Sequence, residues 1–530
     1  MSEQTSFDAV SLLVASAGRR GSKVAIRSGN EELTYAALLD RTARLAAGLR
    51  SIGVATGDRV ALLLPNGARF VEAWWAIIMA GAVVVPVNPR TAREELRFYL
   101  EDSGAGCVVV DAAHLETVRA LGDSASSRQR KLVCLDSAVN GIENYENLIT
   151  RSQASEERPV RTRPVRTLMH PCAIYYTAGS TGRPKGVVRS HLSVAWGLAM
   201  LAQRLSADDV LLGRAPMAHT GGSLTGPFGV LIAGGTLIIP EQTDANSLLD
   251  LVTRHHVTRF YLHPVLNAKA VFAAMDHGRF DLRSLRRLQW TAGFLPEAIR
   301  AEIFRRFPGL PLEVTYGMTE VSNIATYECD ETGALSSNCV GYAWPGSEFA
   351  LLGDSGEFLP SGAGEGEVVV RSPTAMSGYW NAPELTAAAM HEGWIRTGDL
   401  GRVGDDGGLF LTGRIKDVIK TAGMTVHAAE IEHALAAHAE VIDAAAFALP
   451  HPHWEEAVTA VVARRAASSL SEADLIEHCR AHLNSYKLPK RIFFLSELPR
   501  NASNKVDKRA LIAKFAAQAE PDRQPGDLIA

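Results

Sequence analysis

The runs Ala82–Val87, Cys107–Val110 and Thr236–Ile239 are almost wholly apolar and rich in β-branched residues. A strand that is apolar on both sides must be covered on both faces, the condition met by a parallel sheet clad with helices. Helical patterns over Leu33–Ile52, Val71–Ala80 and Glu94–Ser103 alternate with these runs and with Arg59–Leu63. That alternation predicts an α/β fold. It resumes at Ala173–Tyr176 and Arg259–Leu262, after a polar stretch, Asp136–Thr167, that reads as a surface linker. Beyond Ser347 the texture changes to short strands and Gly-rich turns (Phe349–Leu352, Gly366–Val370, Leu409–Thr412), as in a small antiparallel subdomain. After Lys420, helices are expected at Ala429–Ala437, Glu472–Leu483 and Lys508–Ala517. With the apolar runs Ala444–Ala448 and Val458–Val462 they suffice for a separate α+β domain.

A chain of 530 residues exceeds what one core of ~250–300 residues can hold, so several domains are required. Hydrophobic residues at 47% and charged residues at 21% are the balance of a globular protein. Lys and Arg number 54 against 58 Asp and Glu, a net charge of −4, which excludes a generally basic nucleic-acid binder. Six cysteines (Cys107, Cys134, Cys172, Cys329, Cys339, Cys479) form no C-x-x-C pair. Neither a zinc ribbon nor a disulfide framework is expected, and a reduced, cytoplasmic setting fits. The apolar stretch Ala9–Ala17 has no basic region before it, so no signal peptide is expected. Trp74–Val87 is shorter than the ~20 residues a membrane span needs and contains Pro86, so no span is expected.

The chemistry is written most plainly in Ala173–Val188. A strand runs into Thr177-Ala178-Gly179-Ser180-Thr181-Gly182, then Lys185, then a second apolar run. The glycines let backbone N–H groups approach an anion, the hydroxyls of Thr177, Ser180 and Thr181 add donors, and Lys185 adds charge. This is a cradle for a polyphosphate. It is not a Walker A loop, because Gly186 follows the lysine and no helix starts there. A plain hairpin turn would explain the glycines, but not three hydroxyls, a proline and a lysine together.

The loop resembles the phosphate-binding signature of the adenylate-forming superfamily: acyl-CoA synthetases, adenylation domains of non-ribosomal peptide synthetases, and firefly luciferases. Ala178 and Ser180 are mild departures. Further matches follow in order: Leu33-Thr-Tyr35, Gly57-Asp-Arg-Val60, Val87-Asn-Pro89, Tyr316-Gly-Met-Thr-Glu320, Trp394–Leu400, Gly413–Asp417, Glu430-Ile-Glu432 and Asn504-Lys505. The resemblance implies a large N-terminal domain, 1–413, of two parallel α/β subdomains and a small β subdomain. It implies a hinge at 414–417 centred on Lys416, and a mobile α+β lid domain, 418–530; the tail from about 520 is polar with two prolines and is expected to be disordered.

It also implies residue roles. Tyr316 stacks on adenine within a nucleotide site that includes Gly317, Met318 and Gly293; Thr319 contacts the α-phosphate and Glu320 holds Mg²⁺. Alone, Thr319-Glu320 would read as a helix start. Asp399 accepts the ribose hydroxyls, Arg414 reaches the ribose or phosphates, and Lys505 neutralises charge during adenylation, although Asn504 replaces the usual glycine before it. His219 gates the passage between the acyl pocket and a thiol tunnel that Gly423 joins. Alone, a histidine is more often structural.

Amino-acid-activating relatives carry an Asp where Thr220 stands, because an α-ammonium needs a buried counter-charge. Its absence argues against α-amino acids. Pocket walls are expected from His219–Gly226, Thr291–Leu295 and Val321–Tyr327, with Gly221 leaving space and Phe294 adding bulk. The expected reaction is ATP-dependent activation of a bulky apolar or aromatic monocarboxylic acid and transfer to coenzyme A. Delivery to a carrier protein or a separate transferase is the alternative. A non-catalytic nucleotide binder is the reading from another class, opposed by the intact Lys185, Glu320, Asp399, Arg414 and Lys505. A homodimer stays open.

Overall fold

The computed structural model describes residues 8–122, 130–136, 141–152, 167–177, 183–262, 265–291, 295–329, 338–360, 362, 364–465, 468–501 and 505–516. The expected tail from about 520 lies outside them.

The first sheet has Arg59–Leu63 at its centre, flanked in parallel by Val83–Pro86 and Cys107–Val110. Val60, Ala61, Leu62 and Leu63 are all buried, as a strand covered on both faces requires. Pro171–Thr177 continues the sheet in parallel, then Lys185–Ser190 and Gly378–Tyr379 turn its edge antiparallel. Helix Ala68–Ala80 buries every side chain except Arg69. Its Glu72, fully buried, is paired with Arg41 at 2.6 Å and accepts the Tyr145 hydroxyl at 2.7 Å.

That contact corrects the expectation for Asp136–Thr167. The stretch contains strand Glu143–Asn144 and helix Tyr145–Arg151, which buries Tyr145, Leu148 and Ile149 against the body. Three apolar residues at i, i+3 and i+4 dock this two-turn helix despite the polar surroundings. Residues 137–140 and 153–166 lie outside the described ones.

The second sheet carries six strands in parallel: Val24–Ser28, Thr236–Ile239, Val210–Leu212, Arg259–Tyr261, Arg287–Thr291 and Leu312–Met318. Ser322–Cys329 then reverses direction. Cys339–Ala343 bonds both to that strand and to Leu409–Arg414, so the small antiparallel region is stitched onto the second sheet rather than set apart. The two sheets meet through aromatic packing. Trp74 and Trp75 lie 4.8 and 5.4 Å from Phe228 of helix Pro227–Ala233, all fully buried. Burying one such ring contributes on the order of 2–3 kcal/mol.

A third, five-stranded sheet holds Val418–Thr421, Met424–His427, Val441–His451, Glu455–Arg464 and Arg491–Leu495. Helices Ala428–Ala436, Glu472–Arg480 and Lys508–Ala516 pack on it, and it has hydrophobic clusters of its own. No helix among the described residues is long and apolar enough to cross a membrane.

Candidate active site

Strands Pro171–Thr177 and Lys185–Ser190 are an antiparallel hairpin in which Thr177 faces Lys185. A strand, not a helix, follows the lysine, so the connection differs from a Walker A loop in geometry as well as in sequence. Ala178, Gly179, Ser180, Thr181 and Gly182 lie outside the described residues, as do Gly293, Phe294 and Asn504. The ammonium of Lys185 sits 5.0 Å from the centroid of the Tyr379 ring. Tyr379 is placed by pairing with Val187, and its hydroxyl donates to Glu320 Oε1 at 2.8 Å. One tyrosine thus bridges the loop lysine and the candidate metal carboxylate.

Tyr316, Gly317 and Met318 end strand Leu312–Met318, and Thr319-Glu320 form the tight turn into Ser322–Cys329. The turn is closed by Val321 N–H donating to the Met318 carbonyl at 3.2 Å. No helix begins here. Gly317 is required: a Cβ there would lie 2.0 Å from the Ser322 carbonyl oxygen. Ser322 itself adopts φ 71°, a left-handed conformation that costs a non-glycine residue about 1–3 kcal/mol. Strain held at this turn marks a position where geometry matters more than stability. Met376 N–H anchors the Glu320 carbonyl at 2.7 Å, and Val321 is fully buried beneath.

Asp399 lies in strand Trp394–Val403, directly across from Arg414. Its carboxylate accepts the Tyr316 hydroxyl at 2.6 Å and pairs with Arg414 Nε at 2.9 Å. Burial and the adjacent Asp399 carboxylate push the Tyr316 phenol well above its usual range. The ring is therefore held neutral.

Lys505 follows a small loop that is tied at its base. Its N–H donates to Asn501 Oδ1 at 3.1 Å, its carbonyl accepts Asn501 N–H at 2.9 Å, and Arg500 bridges to Val506. The side chain keeps solvent access at the cleft mouth. Yet crowding by protein atoms, then the fields of Arg414 and Lys416, lower its pKa, against Asp399 and Glu320, which raise it. Lys416 occupies the 3₁₀ turn Ile415–Asp417, linking Leu409–Arg414 to the third sheet.

His219 precedes the four-residue helix Thr220–Ser223. The loop leading to it is clamped to the first sheet by Asn66, which donates to the Ala215 carbonyl and accepts from Met217 N–H, both at 2.8 Å. Burial, then the fields of Lys505 and Arg90, push the imidazole down to about 4, so it is neutral at pH 7. Among the described residues its Nε2 is buried without a partner. Thr220 is buried and Gly221 exposed. Gly423 lies on an exposed turn with φ 74°, where an added Cβ would meet nothing within 4 Å.

A pocket opens between helix His191–Gln203 and the start of strand Ser322–Cys329. Leu224, Thr225, Ser322 and Asn323 come from the expected walls; Ser193 and Trp344 were not foreseen. Tyr379 and Arg189 were missed too. Their signals were a Gly-Tyr-Trp run in a polar stretch and a charge inside the otherwise buried strand Lys185–Ser190.

Mg²⁺ favours one or two carboxylates plus phosphate oxygens. Glu320 fits: Tyr379 occupies one carboxylate oxygen, and among the described residues the other has no hydrogen-bond donor. Among the described residues no group of three or more His, Cys, Asp or Glu is arranged around a metal.

The AMP-binding enzyme family matches residues 13–380, and its C-terminal domain matches residues 430–505. An indoleacetate–CoA ligase from Aromatoleum aromaticum is 33% identical over 94% of this chain and 97% of its own. A feruloyl-CoA synthase from Amycolatopsis sp is 34% identical over 93% and 96%. The structure of ATP-bound MatB from Rhodopseudomonas palustris superposes with a TM-score of 0.86 at 26% identity, covering 97% of this chain and all of that one. With its cleft of Tyr316, Glu320, Asp399 and Lys505 placed as described, the chain belongs to the AMP-binding enzyme family.

Proposed function

We propose that this chain is an acyl-CoA synthetase that activates a bulky apolar or aromatic monocarboxylic acid with ATP and transfers the acyl group to coenzyme A. The observation that carries this reading is the Tyr316–Glu320 segment, whose Tyr316 hydroxyl donates to the Asp399 carboxylate paired with Arg414 and whose Glu320 accepts from Tyr379, the ring beside Lys185. In the first half, an acid oxygen attacks the α-phosphorus and pyrophosphate leaves, giving acyl-AMP. In the second, a thiol attacks the acyl carbon, its proton is released, and AMP leaves with the electron pair of the broken bond.

Charge builds on the α-phosphate during the first half, and a flexible, partly dehydrated ammonium suits that position, which we assign to Lys505. Lys185 and the loop 177–182 hold the phosphates, Thr319 the α-phosphate, and Asp399, steadied by Arg414, the ribose. Tyr316 lies against the base. Bound at Glu320, Mg²⁺ would neutralise phosphate charge and favour departure of pyrophosphate. A neutral His219 can border an apolar acyl group without a buried charge to desolvate, and its unpartnered Nε2 can accept the thiol proton. The aromatic acids named for two relatives, indoleacetate and ferulate, support a ring-bearing substrate. The uncharged pocket residues Leu224, Asn323 and Trp344 agree with it.

The division we assign is 1–413, 414–417 and 418–530, pivoting at Lys416 so that Lys505 leaves and Gly423 approaches His219 for the second half. We assign a cytoplasmic setting, which fits six scattered cysteines with no C-x-x-C pair. The test is pyrophosphate release over a panel of indole acids, cinnamic acids and fatty acids, with and without coenzyme A. Release with an aromatic acid, and an acyl-CoA product by mass, is expected. Acyl-AMP that coenzyme A does not discharge would move the acceptor to a carrier protein. No release with any acid would overturn the reading.

A further inference from the structure

Arg189 has no solvent exposure and lies four residues along the strand from Lys185. Its guanidinium donates to the Thr319 carbonyl at 2.8 Å, the Thr374 carbonyl at 2.7 Å and, from Nε, Ser193 Oγ at 3.3 Å. Among the described residues no carboxylate lies within ion-pair distance of it. An interior arginine without a counter-ion is costly, and burial pushes this one down to about 10 against the weaker opposing fields of Tyr175 and Glu320. Filling the core alone would be served as well by an aliphatic side chain. Its three partners explain the choice of arginine. Thr319 forms the nucleotide-side turn, while Ser193 and Thr374 line the pocket.

We propose that Arg189 is a positioning residue whose planar fork ties the Thr319-Glu320 turn to the acyl-pocket walls, on the strand that carries Lys185. The proposal rests on the acyl-CoA synthetase reading above. Two carbonyls from separate segments meet one rigid fork, a task an ammonium on a flexible stem cannot perform for both. The turn sits beside strained Ser322, so the fork sets where Thr319 and Glu320 stand relative to the reacting acid. A misplacement of about 1 Å in such a constellation can lower the rate ~100-fold.

The test compares wild type, Arg189→Met and Arg189→Lys in pyrophosphate release at saturating ATP and acid, with ATP·Mg²⁺ binding by calorimetry and thermal melting of each. In Arg189→Met kcat is expected to fall at least ten-fold and the KM for the acid to rise, with weaker ATP·Mg²⁺ binding. Arg189→Lys, which keeps the charge but serves one carbonyl, should stay at least three-fold below wild type. An arginine that serves stability alone would lower the melting temperature and leave kcat and KM of the folded protein unchanged, and that result overturns the proposal. Should Arg189→Met fail to fold, Arg189→Lys decides: a wild-type kcat overturns the role, a reduced one supports it. A silent wild type would overturn the synthetase reading itself, a result separate from active variants in an active background.

Discussion

At the residue scale the cleft divides into groups that meet substrate and groups that hold them. We assign Lys505 to the first kind; its backbone N–H is held by Asn501. Lys505→Ala should lower acyl-AMP formation by on the order of 100-fold, the scale for losing one well-aimed electrostatic contact. Thioester formation from preformed acyl-AMP should change far less, since that half does not use the ammonium. Separate single-turnover measurements check this, and equal losses in both halves would point to a damaged fold instead. Groups of the first kind are legible in sequence because each stands in a short run of chemistry-bearing residues, such as Tyr316–Glu320. Arg189 and Tyr379 are not. They act on residues 130 and 59 positions away, and Arg189 does so largely through main-chain carbonyls, which carry no sequence signature.

Elements explain where sequence reading succeeds and where it stops. Cys107–Val110 and Thr236–Ile239 form strands over the expected residues, because a run apolar on both faces has few other uses in a soluble fold. Leu33–Ile52 instead splits into strand Glu31–Thr34 and helix Tyr35–Ser51, with Thr34 as the cap, since one hydroxyl can end a strand and start a helix. Helix Tyr145–Arg151 is only two turns long, too short for a periodic signal, and its stability comes from Glu72 and neighbouring core. The same dependence on context makes the Tyr316–Ser322 turn fragile. In Gly317→Ala the new methyl would meet the Ser322 carbonyl oxygen at 2.0 Å. Backbone must move there, so adenylation should fall at least ten-fold while far-ultraviolet circular dichroism stays unchanged. Wild-type activity would show that the turn can relax without moving Thr319 or Glu320.

Over the whole molecule, two observations convert into measurable behaviour. The first is acid sensitivity. Burial holds His219 near 4 and His433 near 3, both below the ordinary value of 6.5. Between those values and 6.5 the unfolded chain binds protons that the folded one refuses, so stability rises with pH across that window and falls on acidification. Each histidine adds a slope of about 1.4 kcal/mol per pH unit there. His433→Asn should flatten the dependence of melting temperature on pH between 6 and 4; an unchanged slope would mean His433 is reached by water. The second is the seating of the third sheet on the body. Lys269, on helix Val265–His277, donates to the Val441 carbonyl at 2.7 Å, and His427 lies 3.3 Å from Glu365. These contacts seat the third sheet on the body, and in the proposed cycle that is the orientation in which Lys505 serves adenylation. A net contribution of about 1 kcal/mol per contact corresponds to roughly five-fold in the population of that orientation. Lys269→Met combined with Glu365→Gln should therefore slow adenylation several-fold and leave thioester formation from acyl-AMP equal or faster, because the second half uses the released orientation. Single-turnover rates for each half read this directly. Equal slowing of both halves would mean that the two contacts hold the fold of the third sheet rather than its orientation.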